Sequence, residues 1–339
     1  MSDAIVVYNI PTVSGGYKNM KIGVVVDSSS DLPSSFFTNG EVELMPTVIT
    51  VGDQSFDDTK DDQRTIRFHT EVLERMRQKS DVDASTRPYT SEKIEALFLE
   101  KLVCKYDHVF CIMASHARSE IYDHAFRASR GILTKYKPIR QASGMDGHFS
   151  LAVINSENVF AGVGVLVAET VRMIKTGATP SEINRRIQEV VPHTFCYLVP
   201  PYLDHIYKRA SQRGDKSISW LGFKVGSMLD IKPIMIARKD ETKGIAKIRG
   251  YEPAVEIMFA NATRAVEGGL MSPEIIVAFG GDPVNLPRLP GFIRFKEAVR
   301  RAGYNMHITP MSISGSVLAG PGCAEVAFIS DKHEFEERA

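Results

Sequence analysis

The sequence predicts an α/β protein, with an N-terminal parallel sheet flanked by helices and a C-terminal α+β domain carrying a mixed or antiparallel sheet. Short, largely apolar runs at 22–26, 106–113 and 151–154 alternate with segments of helical spacing. Strands buried on both faces and joined by crossover helices produce this rhythm. After about residue 178 the pattern changes to hairpins mixed with helices. With 339 residues, 43% of them apolar, the chain can bury two cores. The expected boundaries are an N-terminal extension at 1–19, an α/β domain at 20–178 and an α+β domain at 179–335.

Taken in order, 21–33 reads KIGVVVDSSSDLP. The apolar run empties into Asp27, Ser28, Ser29 and Ser30, and Asp31-Leu32-Pro33 is a helix-start signal of a polar cap and an early proline. Such a turn lies at the carboxyl edge of a sheet, where open α/β sheets bind ligands, although a Ser/Asp turn also serves simply as a cap. Residues 44–51 read as an irregular or edge strand because Pro46 interrupts them. Ile94, Leu97, Phe98 and Leu102 place an amphipathic helix over 91–103, and further helices are expected at 121–133 and 162–174, the last closed by Gly177. Gly162-Val163-Gly164 lacks the third glycine of a dinucleotide fingerprint and reads as close helix packing.

In the second half, a helix at 181–191 capped by Thr179, Pro180 and Ser181 leads to a strand at 194–199, punctuated by Pro200-Pro201. Strands 231–237 and 243–249 surround a charged turn, Lys239 to Lys243. Helices at 253–268 and 289–302 alternate with strands at 274–279 and 307–311, and a last strand covers 325–330. The apolar stretch Ala4 to Val7 reads as an extra strand or a mobile arm.

Bulk properties exclude several classes. Lysine plus arginine and aspartate plus glutamate both number 41, so no basic excess supports a nucleic-acid partner. Cys104, Cys111, Cys196 and Cys323 form no CxxC pair, and neither a metal site nor a redox motif is expected. The first twenty residues lack the apolar core of a signal peptide. The best membrane-span candidate, 151–168, is broken by Asn155, Ser156, Glu157 and Asn158, so no integral membrane segment and a cytoplasmic location are expected. No P-loop, kinase catalytic loop or GxSxG elbow occurs.

Three loops at strand ends hold the candidate chemistry. The first is Asp27 to Asp31. The second, 84–88 (ASTRP), offers Ser85, Thr86 and Arg87, with Pro88 biasing Arg87 toward extended backbone; the plain alternative is that Ser85 and Thr86 cap the next helix. The third, 114–122 (ASHARSEIY), offers Ser115, His116, Arg118 and Ser119. Adjacent Ser115 and His116 do not readily make a nucleophile–base pair, so a hydrolase using Ser115 is only a weak alternative.

Together these segments resemble the DegV family, the fatty-acid-binding proteins that carry substrate for a bacterial fatty-acid kinase. The opening KIGVVVDSSSDLP is similar to that family's first strand and Asp-Ser turn, and LMPTVITVGDQSFDD (44–58) to its next strand. Ser85 to Pro88 stands where the family has Thr-Ser-Gln-Pro, and Ser115 to Tyr122 resembles its Ser-Ser-x-Leu-Ser-Gly-Thr-Tyr loop. VINSENVFAGVGVLVAE (153–169), MLDIKPIM (228–235), KIRG (247–250) and Gly320-Pro321-Gly322 complete a match over nearly the whole chain. The departures are Leu318 in place of the family's histidine, Arg118 in place of a leucine, and Glu120-Ile121 in place of Gly-Thr. In the 213–219 stretch the family's arginine is replaced, or displaced to Arg213.

The resemblance implies a non-catalytic lipid-binding protein of phospholipid metabolism, without cofactor. It would hold a long-chain fatty acid in an interdomain tunnel and present the carboxylate to a separate kinase, transient contact with a membrane surface being compatible with this role. Ser85, Thr86 and Ser115 are the implied carboxylate ligands. Arg87, Arg118 and Ser119 are further head-group candidates, with Arg87 or Arg118 replacing the donor lost at Leu318. A solvent-facing Arg118 is the plain alternative. The departures leave open a second reading, a DegV-like binder of another lipid or apolar acid without a kinase partner.

Overall fold

A computed structural model describes residues 5–7, 20–77, 83–203, 206 and 230–337. Its strands are β1 (Ile5–Val7), β2 (Ile22–Asp27), β3 (Glu43–Met45), β4 (Val48–Val51), β5 (Gln54–Asp57), β6 (Ala84–Arg87), β7 (His108–Met113) and β8 (Ser150–Asn155) in the first half. In the second half they are β9 (Thr194–Val199), β10 (Ile231–Arg238), β11 (Glu241–Arg249), β12 (Glu274–Phe279), β13 (Asn305–Pro310) and β14 (Ala324–Ile329). The α-helices are α1 (Ser34–Thr38), α2 (Asp62–Arg67), α3 (Glu74–Arg77), α4 (Ser91–Leu97), α5 (Ile121–Gly131), α6 (Tyr136–Ala142), α7 (Ala161–Lys175), α8 (Pro180–Val190), α9 (Tyr251–Gly268), α10 (Phe292–Ala302) and α11 (Ile313–Ala319).

One sheet has the order β1-β8-β7-β2-β3, another β11-β10-β9-β14-β12-β13, and a small one β5-β4-β6. In the first, β2, β3, β7 and β8 run parallel, and Ile5–Val7 of the N-terminal stretch adds an antiparallel edge on β8. The second is antiparallel except for the β12–β13 pair. Every residue of β7 and β8 is buried, which is why both read as largely apolar runs with polar residues only at their ends.

The helix that joins the layers is α7. Its first eleven residues, 161–171, are all buried. It packs on β2 and β7 from one sheet and on β9, β12 and β14 from the other. Close approach needs Gly164, where a Cβ would lie 2.5 Å from the Asp31 carbonyl oxygen. Buried Glu169 on the same helix accepts from Arg172, Arg186 and Ser272, so its charge is fully partnered.

Three local expectations are corrected. Residues 44–51 are two strands in two sheets: the chain leaves β3 at Pro46, which has no N–H to continue the ladder, and re-enters as β4. Residues 84–87 are not a loop but strand β6, paired with β4. Asp31 does not cap α1. The chain enters that helix at Pro33 with no side-chain cap, and Asp31 Oδ1 accepts from the Ser312 N–H at 2.7 Å.

Asp31 and Glu325 are both fully buried. Glu325 Oε1 accepts from the Ala161 N–H at 3.2 Å and the Cys196 thiol at 2.7 Å, while Glu325 Oε2 and Asp31 Oδ2 are buried without a hydrogen-bond partner among the described residues. Burial and the Asp31 charge push Glu325 well above the usual carboxylate range. A raised folded pKa stabilises below the unfolded value and loses that contribution as pH rises through the folded one. Glu325→Gln removes the titrating carboxyl and keeps its size. The variant's unfolding free energy in urea, relative to the parent's, should therefore increase between about pH 5 and pH 9, at up to about 1.4 kcal/mol per pH unit. A difference that stays flat with pH would show that the Glu325 carboxyl is not raised.

Candidate functional site

The parallel strands β2, β7 and β8 deliver their carboxyl ends to one edge. There a cavity of about 590 Å³ opens between their loops, the small sheet, β9–β11 and α11. Its apolar wall is made by Val159, Phe160, Leu198, Met235 and Leu318. Its polar wall carries Ser29, Thr47, Thr86, Arg118 and Ser119. An apolar enclosure with a few converging polar groups is the usual build of a small-molecule site.

Strand geometry sorts the ASTRP segment. Val48 pairs with Arg87 and Ile49 with Thr86 in the β4–β6 register. Side chains alternate along a strand, so Thr86 and Pro88 face the cavity together with Thr47, while Ser85 and Arg87 point the other way and are exposed. Of the three residues expected to hold a carboxylate, Thr86 lines the cavity and Ser85 does not.

Ser115 is committed elsewhere. It is 1% exposed, donates to Asp240 Oδ1 at 2.6 Å and accepts from the Ala117 N–H at 3.2 Å. Its proton therefore goes to a carboxylate rather than to an imidazole, and the nucleophile–base pair a hydrolase needs is not formed at Ser115. Arg118 and Ser119, from the same loop, do line the cavity. Arg118 Nη2 donates to the Thr242 carbonyl at 3.1 Å, and Ser119 Oγ accepts from the Ile121 N–H at 3.3 Å. The 213–219 stretch, with Arg213, lies outside the described residues.

Asp240 was not legible as a site residue, yet it organises the rim. It ends the two-residue turn between β10 and β11, with φ of 52° at Lys239 and 62° at Asp240. Positive φ at both positions matches the twist of a hairpin. From that tip Asp240 also accepts from Asn155 Nδ2 at 3.1 Å, and His116 Nε2 lies 3.4 Å from its Oδ2. The signal in sequence was only a charged turn, because its partners lie 85 and 125 residues away.

Asp27 also lines the cavity while 1% exposed. Burial raises its carboxyl, against hydrogen bonds from Ser29 and the Ala114 N–H and the charge of Lys60. Phe160 stands in the wall with φ of 49°, a strained value for a bulky residue. Nothing in its sequence context announces it.

The Asp240 tether predicts a measurable cost. Asp240→Gly keeps the positive φ and removes the acceptor, leaving the buried Ser115 hydroxyl without its partner. Its urea unfolding free energy should fall by about 2 kcal/mol. Asp240→Asn, which tolerates the same backbone and keeps one acceptor oxygen, should lose less. Equal stability of all three proteins would show that the rim does not depend on this carboxylate.

The site sits on an architecture found in solved proteins. A structure of DegV, described as a fatty acid binding protein from Bacillus subtilis, matches with a TM-score of 0.70 at 17% identity, covering 92% of this chain and 100% of that one. A stearic acid-binding protein from Eubacterium ventriosum matches with a TM-score of 0.70 at 17% identity, covering 91% and 98%. Identity at that level establishes shared fold. In sequence, a DegV domain-containing protein of Xanthomonas campestris pv. campestris is 38% identical over 317 residues, 93% of this chain and 99% of the relative. The pattern described as "Uncharacterised protein, DegV family" matches residues 21–331. A match of that length and identity goes beyond common architecture: the chain belongs to the DegV family.

Proposed function

We propose that this chain binds a long-chain fatty acid in the cavity and presents its carboxylate to a separate acyl kinase, doing no chemistry itself. The observation that carries this reading is the cavity's two-sided wall, apolar on β9, β10 and the Val159–Phe160 loop, hydroxyl- and guanidinium-bearing on β6 and the serine loop. Structural neighbours described as fatty acid binding proteins support the ligand class. Each methylene removed from water contributes about 0.8 kcal/mol, so a chain of about sixteen carbons brings on the order of 10 kcal/mol before ordering costs.

A carboxylate entering such a site needs donors, because an unpaired buried charge is prohibitively costly. Of the residues expected for this task we assign Thr86, Arg118 and Ser119. Ser115 is assigned to holding the loop in place through Asp240. Arg118 supplies a charge-assisted donor. The kinase step rests on the family resemblance; the carrier would leave the carboxylate reachable for phosphoryl transfer.

One observation favours the second reading, a binder of another apolar acid without a kinase partner. Leu318 lines the cavity where the family resemblance implies a histidine, so the head-group environment differs.

Native mass spectrometry followed by denaturation tests the carrier reading. A long-chain acid should leave the protein on unfolding. The bare mass in both states, together with no uptake of added hexadecanoic acid, would overturn it. Arg118→Ala should weaken affinity for that acid by about tenfold or more if the guanidinium meets the carboxylate.

A further inference from the structure

The strongest unclaimed group near the cavity is Ser314, on α11 one turn before Leu318. It lines the same cavity and is only 2% exposed. Its Oγ has no hydrogen-bond partner among the described residues. Its neighbours behave differently. Ser312 Oγ accepts from the Gly315 N–H at 3.0 Å and donates to the Ser29 carbonyl at 3.0 Å. Ser316 Oγ returns its proton to the Ile313 carbonyl at 2.9 Å, the usual resource of a serine inside a helix.

A buried hydroxyl without a partner is unfavourable, and native proteins retain one chiefly where something else satisfies it. Helix α11 gives the cavity lining both the hydroxyl of Ser314 and the apolar Leu318. Helix α11 packs on β6, the strand that presents Thr86, and Ser312 ties the start of α11 to the turn that presents Ser29. Leu318, on the same side of the helix one turn later, carries no donor. We propose that Ser314 Oγ donates a hydrogen bond to the carboxylate of the bound acid and so supplies, from one turn earlier on the helix, a donor that Leu318 cannot. This assignment rests on the reading of the cavity as a fatty-acid site.

Binding of hexadecanoic acid and of hexadecan-1-ol to the full chain and to Ser314→Ala tests it. The variant should lose about tenfold or more in affinity for the acid and less for the alcohol, because a bond to a charged oxygen is the stronger. Without ligand, Ser314→Ala should melt no lower than the parent, since it removes a hydroxyl that the protein itself does not partner. Ser314→Cys, similar in volume with a weaker donor, should lose acid affinity in the same direction. Unchanged acid affinity in both variants, or an equal loss for acid and alcohol, would overturn the role of Ser314 while leaving the carrier reading in place. Failure of the parent chain to bind the acid would remove both.

Discussion

Everything around the cavity depends on the hydrogen bonds that converge on the turn from Asp27 to Asp31. Asp27 receives the Ala114 N–H from the loop after β7, and Ser28 Oγ receives the Thr47 N–H from the loop before β4. The Ser30 carbonyl takes the Lys60 ammonium at 2.7 Å, the Ser29 carbonyl takes Ser312 Oγ, and Asp31 takes the Ser312 N–H. The Asp31 charge also helps to push up the Glu325 carboxyl on β14. The turn is buried, so each of these groups must be satisfied from within the protein. Its position therefore dictates where these segments can lie, and three of them line the cavity through Thr47, Ala114 and Ser314.

The backbone of this arrangement was legible in sequence, and the physical reason is burial. Strands covered on both faces have no room for polar residues, so β2, β7 and β8 stand out as apolar runs. Helix α7 is buried along most of its length, and its glycine spacing records the approach of Asp31 to Gly164. The short elements were not legible. Helix α11 is seven residues of small and β-branched types with no amphipathic stripe, and β6 is four residues long. Such segments take their structure from neighbours far away in sequence.

The candidate site was legible as loops and less so as atoms. Local sequence brought Ser85, Thr86 and Arg87 together as one hydroxyl-rich turn; pairing with β4 turns alternate side chains to opposite faces and leaves Thr86 inside. Ser115 followed the same logic: its place after β7 was readable, but its hydroxyl is claimed by Asp240, which arrives from the β10–β11 turn. Long-range pairing of this kind leaves no periodic trace. Ser314 is the converse case, a residue in an unremarked segment whose significance comes only from lacking a partner next to a cavity.

The strained residue in the cavity wall ties the site back to the buried carboxyl pair. Holding Phe160 at a positive φ costs on the order of 1–3 kcal/mol, and such a conformation persists only where surrounding contacts over-determine it. Here they do. On one side Asn158 is locked by its side-chain bond to the Thr194 carbonyl at 3.0 Å. On the other, the Ala161 N–H is held by Glu325. The Phe160 ring faces Gly315 of α11, where a Cβ would lie 3.3 Å from its Cδ1. Glu325 thus holds the start of α7, and the charge of Asp31, on the turn that anchors α11, acts on the same carboxyl. The buried carboxyl pair therefore links the Phe160 part of the cavity wall to the helix that carries Ser314.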